Sequence, residues 1–210
     1  IMAEECIFEY GGRETEYLIR KDKRLAGIIL QLGHIRRTVI PDLYVALVHS
    51  IIGQQISTKA HQTIWRRIND ELGGITPEKI EGKTLDEVQR YGISFRKAGY
   101  IKSTTHKIVT GEFDINALCS LSDEEVCRRL SSLEGIGEWT AEMLMLFSMQ
   151  RPDILSYKDL AIVRGMKMVY HHRDMTRERF ERYRRRLSPY GSVASLYFWQ
   201  VAGGQCDIIV

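Results

Sequence analysis

Residues 133–141 have the sequence Leu133-Glu134-Gly135-Ile136-Gly137-Glu138-Trp139-Thr140-Ala141. The chain on either side predicts helices, one ending near Ser131 and one running over residues 138–149. Two glycines, two positions apart, let the backbone turn without a Cβ clash and let another molecule approach it closely. The second helix directs its unpaired N–H groups and the positive end of its dipole at this turn. The segment therefore predicts a helical hairpin that binds a phosphate group, with Ile136 pointing inward to join the two helices.

The rest of the chain predicts an almost all-α protein. Apolar residues recur at helical spacing in six further segments, residues 43–51, 57–72, 95–110, 160–170, 177–187 and 192–201. Capping signals mark other helix starts at Thr76-Pro77, at Thr84 with Glu87 and at Ser122 with Glu125. Residues 5–12 alternate weakly and predict at most a short N-terminal strand. A chain of 210 residues forms one large domain or two small lobes that share a cleft.

Composition and charge narrow the classes of protein to consider. The net charge is only +3, but residues 164–186 contain nine Lys or Arg residues and three acidic ones. Such a basic cluster attracts phosphates, although a solvated helix face is the simpler explanation. The cysteines are too widely spread for a zinc or redox motif and predict reduced thiols; they are Cys6, Cys119, Cys127 and Cys206. Nothing resembles a signal peptide or a membrane span, so we expect a cytoplasmic protein.

The hairpin resembles the helix-hairpin-helix of the large DNA glycosylase superfamily, with the pattern Leu-Pro-Gly-[Ile/Val]-Gly-x-x-Thr-Ala. The glycines alone would equally fit an ordinary αα-hairpin. The matching residues are Leu133, Gly135, Ile136, Gly137, Thr140 and Ala141, whereas Glu134 replaces the proline. We expect Glu134 to loosen the turn slightly without removing the phosphate site. The resemblance implies two helical lobes flanking a DNA-binding cleft, formed by residues 1–210 as a single unit, with the motif at about residues 122–149. It also implies a structural Na⁺ or K⁺ ion on the backbone carbonyls of Leu133 and Gly135.

Twenty-two residues after Gly137 stands Asp159, within Tyr157-Lys158-Asp159-Leu160-Ala161-Ile162-Val163-Arg164-Gly165. In the superfamily a single essential aspartate lies at about this distance, at the start of the next helix, so the resemblance makes Asp159 the catalytic carboxylate. A carboxylate beside the glycosidic bond stabilises an oxocarbenium-like sugar and can orient the attacking water. Considered by itself, Asp159 is equally a helix N-cap, and the two functions are compatible.

The residue at position 139 separates two kinds of glycosylase. Family members with lyase activity carry a lysine two residues after the second hairpin glycine, where this chain has Trp139. We therefore expect a monofunctional enzyme that leaves an abasic site. Lys158 suggests a Schiff-base lyase as an alternative, but we assign it to phosphate or solvent. The lone C-terminal Cys206 cannot supply the four cysteines of an endonuclease III-type iron–sulfur cluster. We expect no such cluster, no organic cofactor and no catalytic metal.

An earlier segment indicates the alkylpurine branch, which contains bacterial inducible and yeast 3-methyladenine DNA glycosylases. It is Ala46-Leu47-Val48-His49-Ser50-Ile51-Ile52-Gly53-Gln54-Gln55-Ile56-Ser57. The tryptophan after the hairpin and the segment over residues 188–199 resemble the same branch. The resemblance covers roughly residues 17–204 and corresponds to a compact form without the N-terminal β-domain of longer bacterial members.

The resemblance also assigns the residues that contact DNA. Flipping a base out of a duplex costs a few kcal/mol, and a side chain must fill the hole. In the family this wedge comes from the segment that contains Gln54 and Gln55, so we expect Gln55, with Gln54, to serve here. A hydrogen-bonded bend is the alternative for this pair. The phosphate-binding candidates are Gly135, Gly137, Thr140, Ser57 and Lys59.

Alkylated purines are electron-poor and often cationic, so aromatic faces attract them. Trp139 and Trp199 fall on family base-pocket positions, and Met143 is a weaker candidate. We expect a monomer that excises alkylated purines, of the 3-methyladenine and 7-methylguanine type, from duplex DNA in base excision repair, in a prokaryotic host. Hypoxanthine or 8-oxoguanine as the substrate base stays open. A non-catalytic DNA-binding module also stays open as an alternative function, although such a module would leave Asp159 and Gln55 unexplained.

Overall fold

The computed structural model describes residues 6–204. Within them lie twelve α-helices, one 3₁₀ turn (Asn116–Ser120) and no strand. The helices are α1 (Gly12–Lys21), α2 (Lys23–Leu32), α3 (Leu43–Gly53), α4 (Thr58–Leu72), α5 (Pro77–Glu81), α6 (Leu85–Gln89), α7 (Phe95–Val109), α8 (Asp123–Leu130), α9 (Glu138–Phe147), α10 (Leu160–Val169), α11 (Arg177–Leu187) and α12 (Gly191–Ala202). The predicted all-α class is confirmed.

The chain divides into two compact helical units. One comprises Ile1–Val39 and Met145–Val210, and the other comprises Ile40–Leu144. The first contains α1, α2 and α10–α12, whereas the second contains α3–α8 and most of α9. None of the helices between residues 6 and 204 is both long enough and apolar enough to cross a bilayer.

The predicted N-terminal strand is reduced to an isolated antiparallel bridge between Ile7 and Thr38. Its hydrogen bonds run from Phe8 N to Arg37 O (2.8 Å) and from Val39 N to Cys6 O (2.9 Å). The chain then enters α1 at Gly12, so no extended segment remains to lengthen the ladder. Glu5, the first residue of the predicted strand, lies outside the described residues, as does Cys206.

Side-chain caps set many of the helix starts. The predicted box of Thr84 and Glu87 is complete, with the Glu87 N–H donating to Thr84 Oγ1 (3.2 Å) and the Thr84 N–H donating to Glu87 Oε2 (2.7 Å). Ser122 caps α8 as predicted, accepting from the Glu125 N–H at 3.3 Å. The carboxylate of Glu125, however, pairs with Arg128 and Arg129 one turn further on, at 2.6 and 2.8 Å.

Two helices, α1 and α2, were not predicted, although their capping signals are present in the sequence. Glu14 accepts a hydrogen bond from the Gly11 N–H (2.8 Å), which fixes the start of α1. Asp22 follows the end of α1 and caps α2, accepting from Arg24 N (3.1 Å) and Leu25 N (3.0 Å) through Oδ1.

In the first unit, α12 forms the centre of the core and α10 packs against it. Leu196, Tyr197, Phe198 and Val201 of α12 are almost completely buried. The two helices approach so closely at Gly165 that a Cβ there would lie 2.1 Å from the backbone carbonyl oxygen of Phe198. A backbone atom cannot move aside as the end of a flexible side chain can, so glycine is required at this position.

The variant G165A should therefore be strongly destabilised. Overpacking a core costs about 1–3 kcal/mol or more, because a helix has to shift to make room. G27A is the matched control, since a Cβ on Gly27 in α2 would meet nothing within 4 Å. An alanine there should stabilise the protein by roughly 0.5–1 kcal/mol. Denaturant unfolding of both variants measures the difference, and equal stabilities would contradict the assigned helix contact.

In the second unit, α3 is apolar and buried, and it packs against α4 and α7. Leu47, Ile51 and Ile52 are at most 1% exposed. Between α3 and α4 the His49 ring lies 4.1 Å from the ring of His61, measured between centroids. Burial, with a smaller contribution from the neighbouring His61, lowers the pKa of His49 to about 4. Burial also lowers the pKa of His61.

These two histidines make stability depend on pH. In the unfolded chain a histidine has a pKa of about 6.5, so below that pH the unfolded state binds more protons than the folded state. The stability of the protein should therefore fall as the pH drops from about 6.5 toward about 4. Thermal unfolding at pH 7 and pH 5 measures this loss. H49Q should reduce the difference in Tm between the two pH values, and an undiminished difference would contradict the assignment to His49.

Candidate functional site

The predicted hairpin forms between α8 and α9, and its first glycine is required by the fold. Gly135 has φ +81°, in the left-handed region. A Cβ at this position would lie 2.3 Å from Cδ2 of Tyr100. Ile136 is 4% exposed, which agrees with its predicted inward direction, and its N–H donates to Leu133 O (3.1 Å). The turn therefore depends on Gly135 both for its backbone conformation and for its contact with Tyr100.

The second glycine, Gly137, is not required by the fold. It is exposed, its φ is not in the left-handed region, and a Cβ there would meet nothing within 4 Å. Its carbonyl accepts the N–H of Ala141 (2.9 Å), so the first turn of α9 starts at this residue. The unoccupied space around Gly137 lies next to a helix N-terminus, which is the environment a phosphate group prefers.

Glu134, the residue that replaces the family proline, attaches the hairpin to α7. Its carboxylate Oε1 accepts a hydrogen bond from Ser103 Oγ at 3.0 Å. A proline could not make this contact because it has no polar side chain. The loosening expected from the loss of proline is therefore accompanied by a new attachment to a neighbouring helix.

The structure gives the two glutamines of the predicted wedge different environments. Gln54 is half-buried, and its Nε2 donates to the backbone carbonyl of Gly135 at 2.7 Å. Gln55 is exposed and has φ +55°, a backbone conformation that residues other than glycine rarely adopt. Since the Gln54 amide donates to the hairpin, the structure favours Gln55 over Gln54 as the wedge, which stays a prediction. Gln55 is the residue that the loop presents to solvent.

The remaining phosphate candidates also divide. Ser57 is exposed and caps α4, because its Oγ accepts a hydrogen bond from the Ala60 N–H (3.2 Å). Lys59 is exposed in the first turn of the same helix. Both therefore lie at a helix N-terminus where an anion is favoured. Thr140 is only 7% exposed, so its side chain faces the core. Its assignment as a phosphate-binding residue stays a prediction, which this burial does not favour for the side chain, because a motif position does not specify which face of the helix it occupies.

In the other unit, Asp159 is the N-cap of α10. Its Oδ1 accepts hydrogen bonds from the N–H groups of Ala161 and Ile162, both at 2.9 Å, and from Trp199 Nε1 at 3.2 Å. The residue is 7% exposed. Two helices, α10 and α12, thus fix one carboxylate oxygen through three N–H donors. The predicted capping function is confirmed, and this orientation is what a charge-stabilising catalytic group requires.

Trp199, predicted for the base pocket, belongs to an aromatic stack. Its ring lies 5.3 Å from that of Phe147, at an interplanar angle of 28°. The guanidinium of Arg37 lies 5.2 Å from the centroid of the Phe147 ring. Phe147 and Arg37 were not predicted, although Phe147 lies one helical turn after Met143. Trp199 also lines a pocket of about 370 Å³ with five other residues, Leu160, Ala161, Arg164, Ala202 and Gly203.

The other two base-pocket candidates lie in the unit that contains the hairpin. Trp139 is the second residue of α9 and is 46% exposed, unusual for a side chain of this size. Met143, one turn further on, is partly buried. The predicted site residues therefore form two groups, one around Asp159 and Trp199 and one around the hairpin and Gln55.

Apart from Trp199, the predicted site residues of both groups fall within the span of one protein family. A family model described as HhH-GPD superfamily base excision DNA repair protein matches residues 48–189, which include Gln55, the hairpin and Asp159. The chain belongs to the HhH-GPD superfamily. The resemblance deduced from the sequence motifs is thereby confirmed.

Individual relatives of this HhH-GPD protein agree on the branch. DNA-3-methyladenine glycosylase 1 of Schizosaccharomyces pombe is 27% identical over 185 residues, covering 86% of this chain and 81% of the relative. The crystal structure of a Bacillus halodurans DNA-3-methyladenine glycosidase is similar with a TM-score of 0.84 and 32% identity, covering 94% and 92%. A Schizosaccharomyces pombe 3-methyladenine DNA glycosylase in complex with abasic DNA shares the fold, with a TM-score of 0.77 and 24% identity over 94% and 99% of the two chains.

The two hairpin glycines of this HhH-GPD protein should respond differently to alanine. G137A should fold normally, because the added Cβ meets only open space, but it should weaken binding to duplex DNA by about tenfold by obstructing one phosphate contact. G135A should lose stability, because its φ is left-handed and its Cβ meets Tyr100.

Denaturant unfolding and a DNA titration at fixed salt measure the two effects. The salt must be fixed because phosphate contacts make affinity strongly dependent on it. If G137A bound DNA as tightly as the wild type, the hairpin would not be a phosphate site.

Proposed function

We propose that this protein is a monofunctional DNA glycosylase that removes alkylated purines from duplex DNA. The observation that carries the proposal is the Asp159 carboxylate, buried and fixed by three N–H donors beside the Trp199 stack. Membership of a base excision repair superfamily and relatives named 3-methyladenine glycosylases support the same activity. A relative of the same fold binds abasic DNA, the product that this reaction would leave.

The reaction needs little besides a well-placed negative charge. An alkylated purine carries positive charge, so it departs with the electron pair of its glycosidic bond and becomes neutral. The sugar C1′ then carries oxocarbenium character, which the Asp159 carboxylate stabilises. Water adds to C1′ and loses a proton, for which the same carboxylate is a suitable acceptor. The products are the free base and an abasic site with an intact backbone.

Aromatic side chains supply the selectivity for the substrate. Trp199 and Trp139 present π-faces, which attract a cationic base by stacking and cation–π interaction. The hairpin at Gly137 and the start of α4 hold phosphates, and Gln55 enters the space that the flipped base leaves. The absence of a lysine at position 139 favours hydrolysis over the lyase reaction, and we assign the exposed Lys158 to contact with phosphate or solvent.

Further parts of the proposal concern the state of the enzyme. We propose that it acts as a monomer on genomic DNA, which in a prokaryote is located in the cytoplasm. The carbonyl oxygen of Leu133 accepts a hydrogen bond from Ile136 N, and that of Gly135 accepts one from Gln54 Nε2. A carbonyl oxygen has two lone pairs, so both residues fit a Na⁺ or K⁺ ion that would stiffen the turn. The chemistry requires no cofactor.

The decisive variant is D159N. Asparagine keeps an oxygen that can accept the two backbone N–H groups and is as good an N-cap as aspartate, so the fold should be unchanged. It lacks the negative charge, so excision of alkylated purines from methylated duplex DNA should fall by about 10²–10³-fold or more. Binding to abasic DNA should stay within a few-fold of wild type.

A matched control is D42N, which makes the same change at another N-cap. Asp42 caps α3 by accepting from the Val45 N–H (2.9 Å), and its variant should excise bases normally. Wild-type products should remain unbroken at abasic sites until treated with alkali. Release of no alkylated base by the wild type would contradict the substrate assignment, and release of hypoxanthine or oxidised bases instead would identify the alternative.

A further inference from the structure

The loop that carries Gln55 is held by a buried lysine. Lys97 is 9% exposed, and its ammonium donates hydrogen bonds to the backbone carbonyls of Ile52 (2.8 Å) and Gln54 (2.5 Å). Both carbonyls lie at the C-terminal end of α3, where the last carbonyls of a helix lack intrahelical donors. The negative end of the helix dipole also attracts a cation there. Lys97 therefore fixes the backbone immediately before Gln55.

Lys97 is poorly placed with respect to its own helix. It lies in the first turn of α7, where the helix dipole disfavours a cation. Burial lowers its pKa, and the neighbouring Arg96 lowers it further. Placing a charge in the interior is costly, and an apolar side chain of similar length would occupy the same space. The stability of α7 does not account for a lysine at this position, whereas the carbonyls at the end of α3 do.

The same helix supports the hairpin. Tyr100, one turn along α7, places its ring against the backbone of Gly135, and Ser103, a further turn along, donates to the carboxylate of Glu134 (3.0 Å). Gln54 completes the attachment, because its amide donates to the carbonyl of Gly135 (2.7 Å). The wedge loop and the phosphate-binding turn are thus joined to each other and to one face of α7.

We propose that Lys97 is a positioning residue that holds Gln55 ready to enter the duplex. The inference rests on the proposed function, since it takes Gln55 to fill the space left by the flipped base. Gln55 has φ +55°, and a residue stays in this conformation only when its surroundings impose it. The ammonium of Lys97 imposes it by binding the carbonyl of the preceding residue. Without that contact the loop relaxes, and the glutamine has to be reordered each time a base is flipped.

The test compares K97M, Q55A and the double variant K97M/Q55A with the wild type. Single-turnover excision is measured for 7-methylguanine opposite cytosine and for the same lesion opposite an abasic site. Methionine fills similar space without charge, but it leaves the carbonyls of Ile52 and Gln54 without this donor, so K97M should also lose some stability. Each single variant should slow excision from the paired duplex about tenfold. The effect should be much smaller opposite the abasic site, where no base pair has to be opened.

The double variant separates positioning from a general structural function. If Lys97 acts through Gln55, K97M/Q55A is no slower than Q55A, because the second change removes nothing further. Additive losses, or equal losses on both substrates, would mean that Lys97 only supports the fold and would overturn the proposal. A normal rate for K97M beside a slow Q55A would overturn it as well, as would a normal rate for Q55A. No excision by the wild type would instead overturn the proposed function.

Lys97→Gln provides a second variant that keeps an N–H donor of shorter reach. It should recover part of the rate that K97M loses on the paired substrate. Denaturant unfolding of all variants shows which of them are folded. If K97M is not folded, Lys97→Gln takes its place in the comparison with the wild type and Q55A. A rate for Lys97→Gln equal to that of the wild type on both substrates, with its ammonium gone, would also overturn the proposal.

Discussion

The backbones of α10 and α12 meet at Gly165, where the carbonyl of Phe198 occupies the space that any other side chain would need. This contact brings the start of α10 close to the residue that follows Phe198. As a result the indole N–H of Trp199 reaches the Asp159 carboxylate, at 3.2 Å. The position of the carboxylate is thus set by the packing of two helices. A catalytic charge has to be in place before the sugar develops its own charge, and a close-packed core provides that rigidity.

The unit of residues 40–144 reaches a similar result with polar contacts. Its functional segments are loops, which lack the regular hydrogen bonds of a helix and would otherwise be mobile. One face of α7 supplies what they lack through Lys97, Tyr100 and Ser103. Each contact satisfies a backbone carbonyl, fills the space above a glycine or binds a carboxylate. Buried polar contacts of this kind specify one geometry, even where apolar packing would be as stable.

Much of the fold and part of the site could be predicted because the physical causes are local in sequence. Asp159 is an N-cap whose backbone partners are two and three residues away, and the cap of α4 at Ser57 has the same local origin. The hairpin turn is likewise contained in nine residues. The starts of α1 and α2 are also set locally, by Glu14 and by Asp22, although the apolar pattern does not predict either helix.

The rest of the site depends on contacts that no spacing rule encodes. Gln54 and Gln55 have identical chemistry and adjacent positions, and the contact of Gln54 with Gly135, 81 residues away, gives them different environments. Lys97 gave no signal, because a lysine in the first turn of a helix is ordinarily a surface residue. Thr140 matches a family motif, but whether its side chain faces the core or the ligand is determined by tertiary packing.

Gly137 has a consequence for how this protein changes during evolution. Nothing in the fold needs a glycine there, and glycine is the residue that loses most conformational freedom on folding. Under selection for stability alone, the position would drift toward alanine or a polar helix-starting residue. Such a substitution would produce a soluble, well-folded protein that passes cellular quality control. Under the proposed phosphate contact, loss of this glycine in a descendant would mark a lineage that has kept the fold and abandoned the hairpin's phosphate.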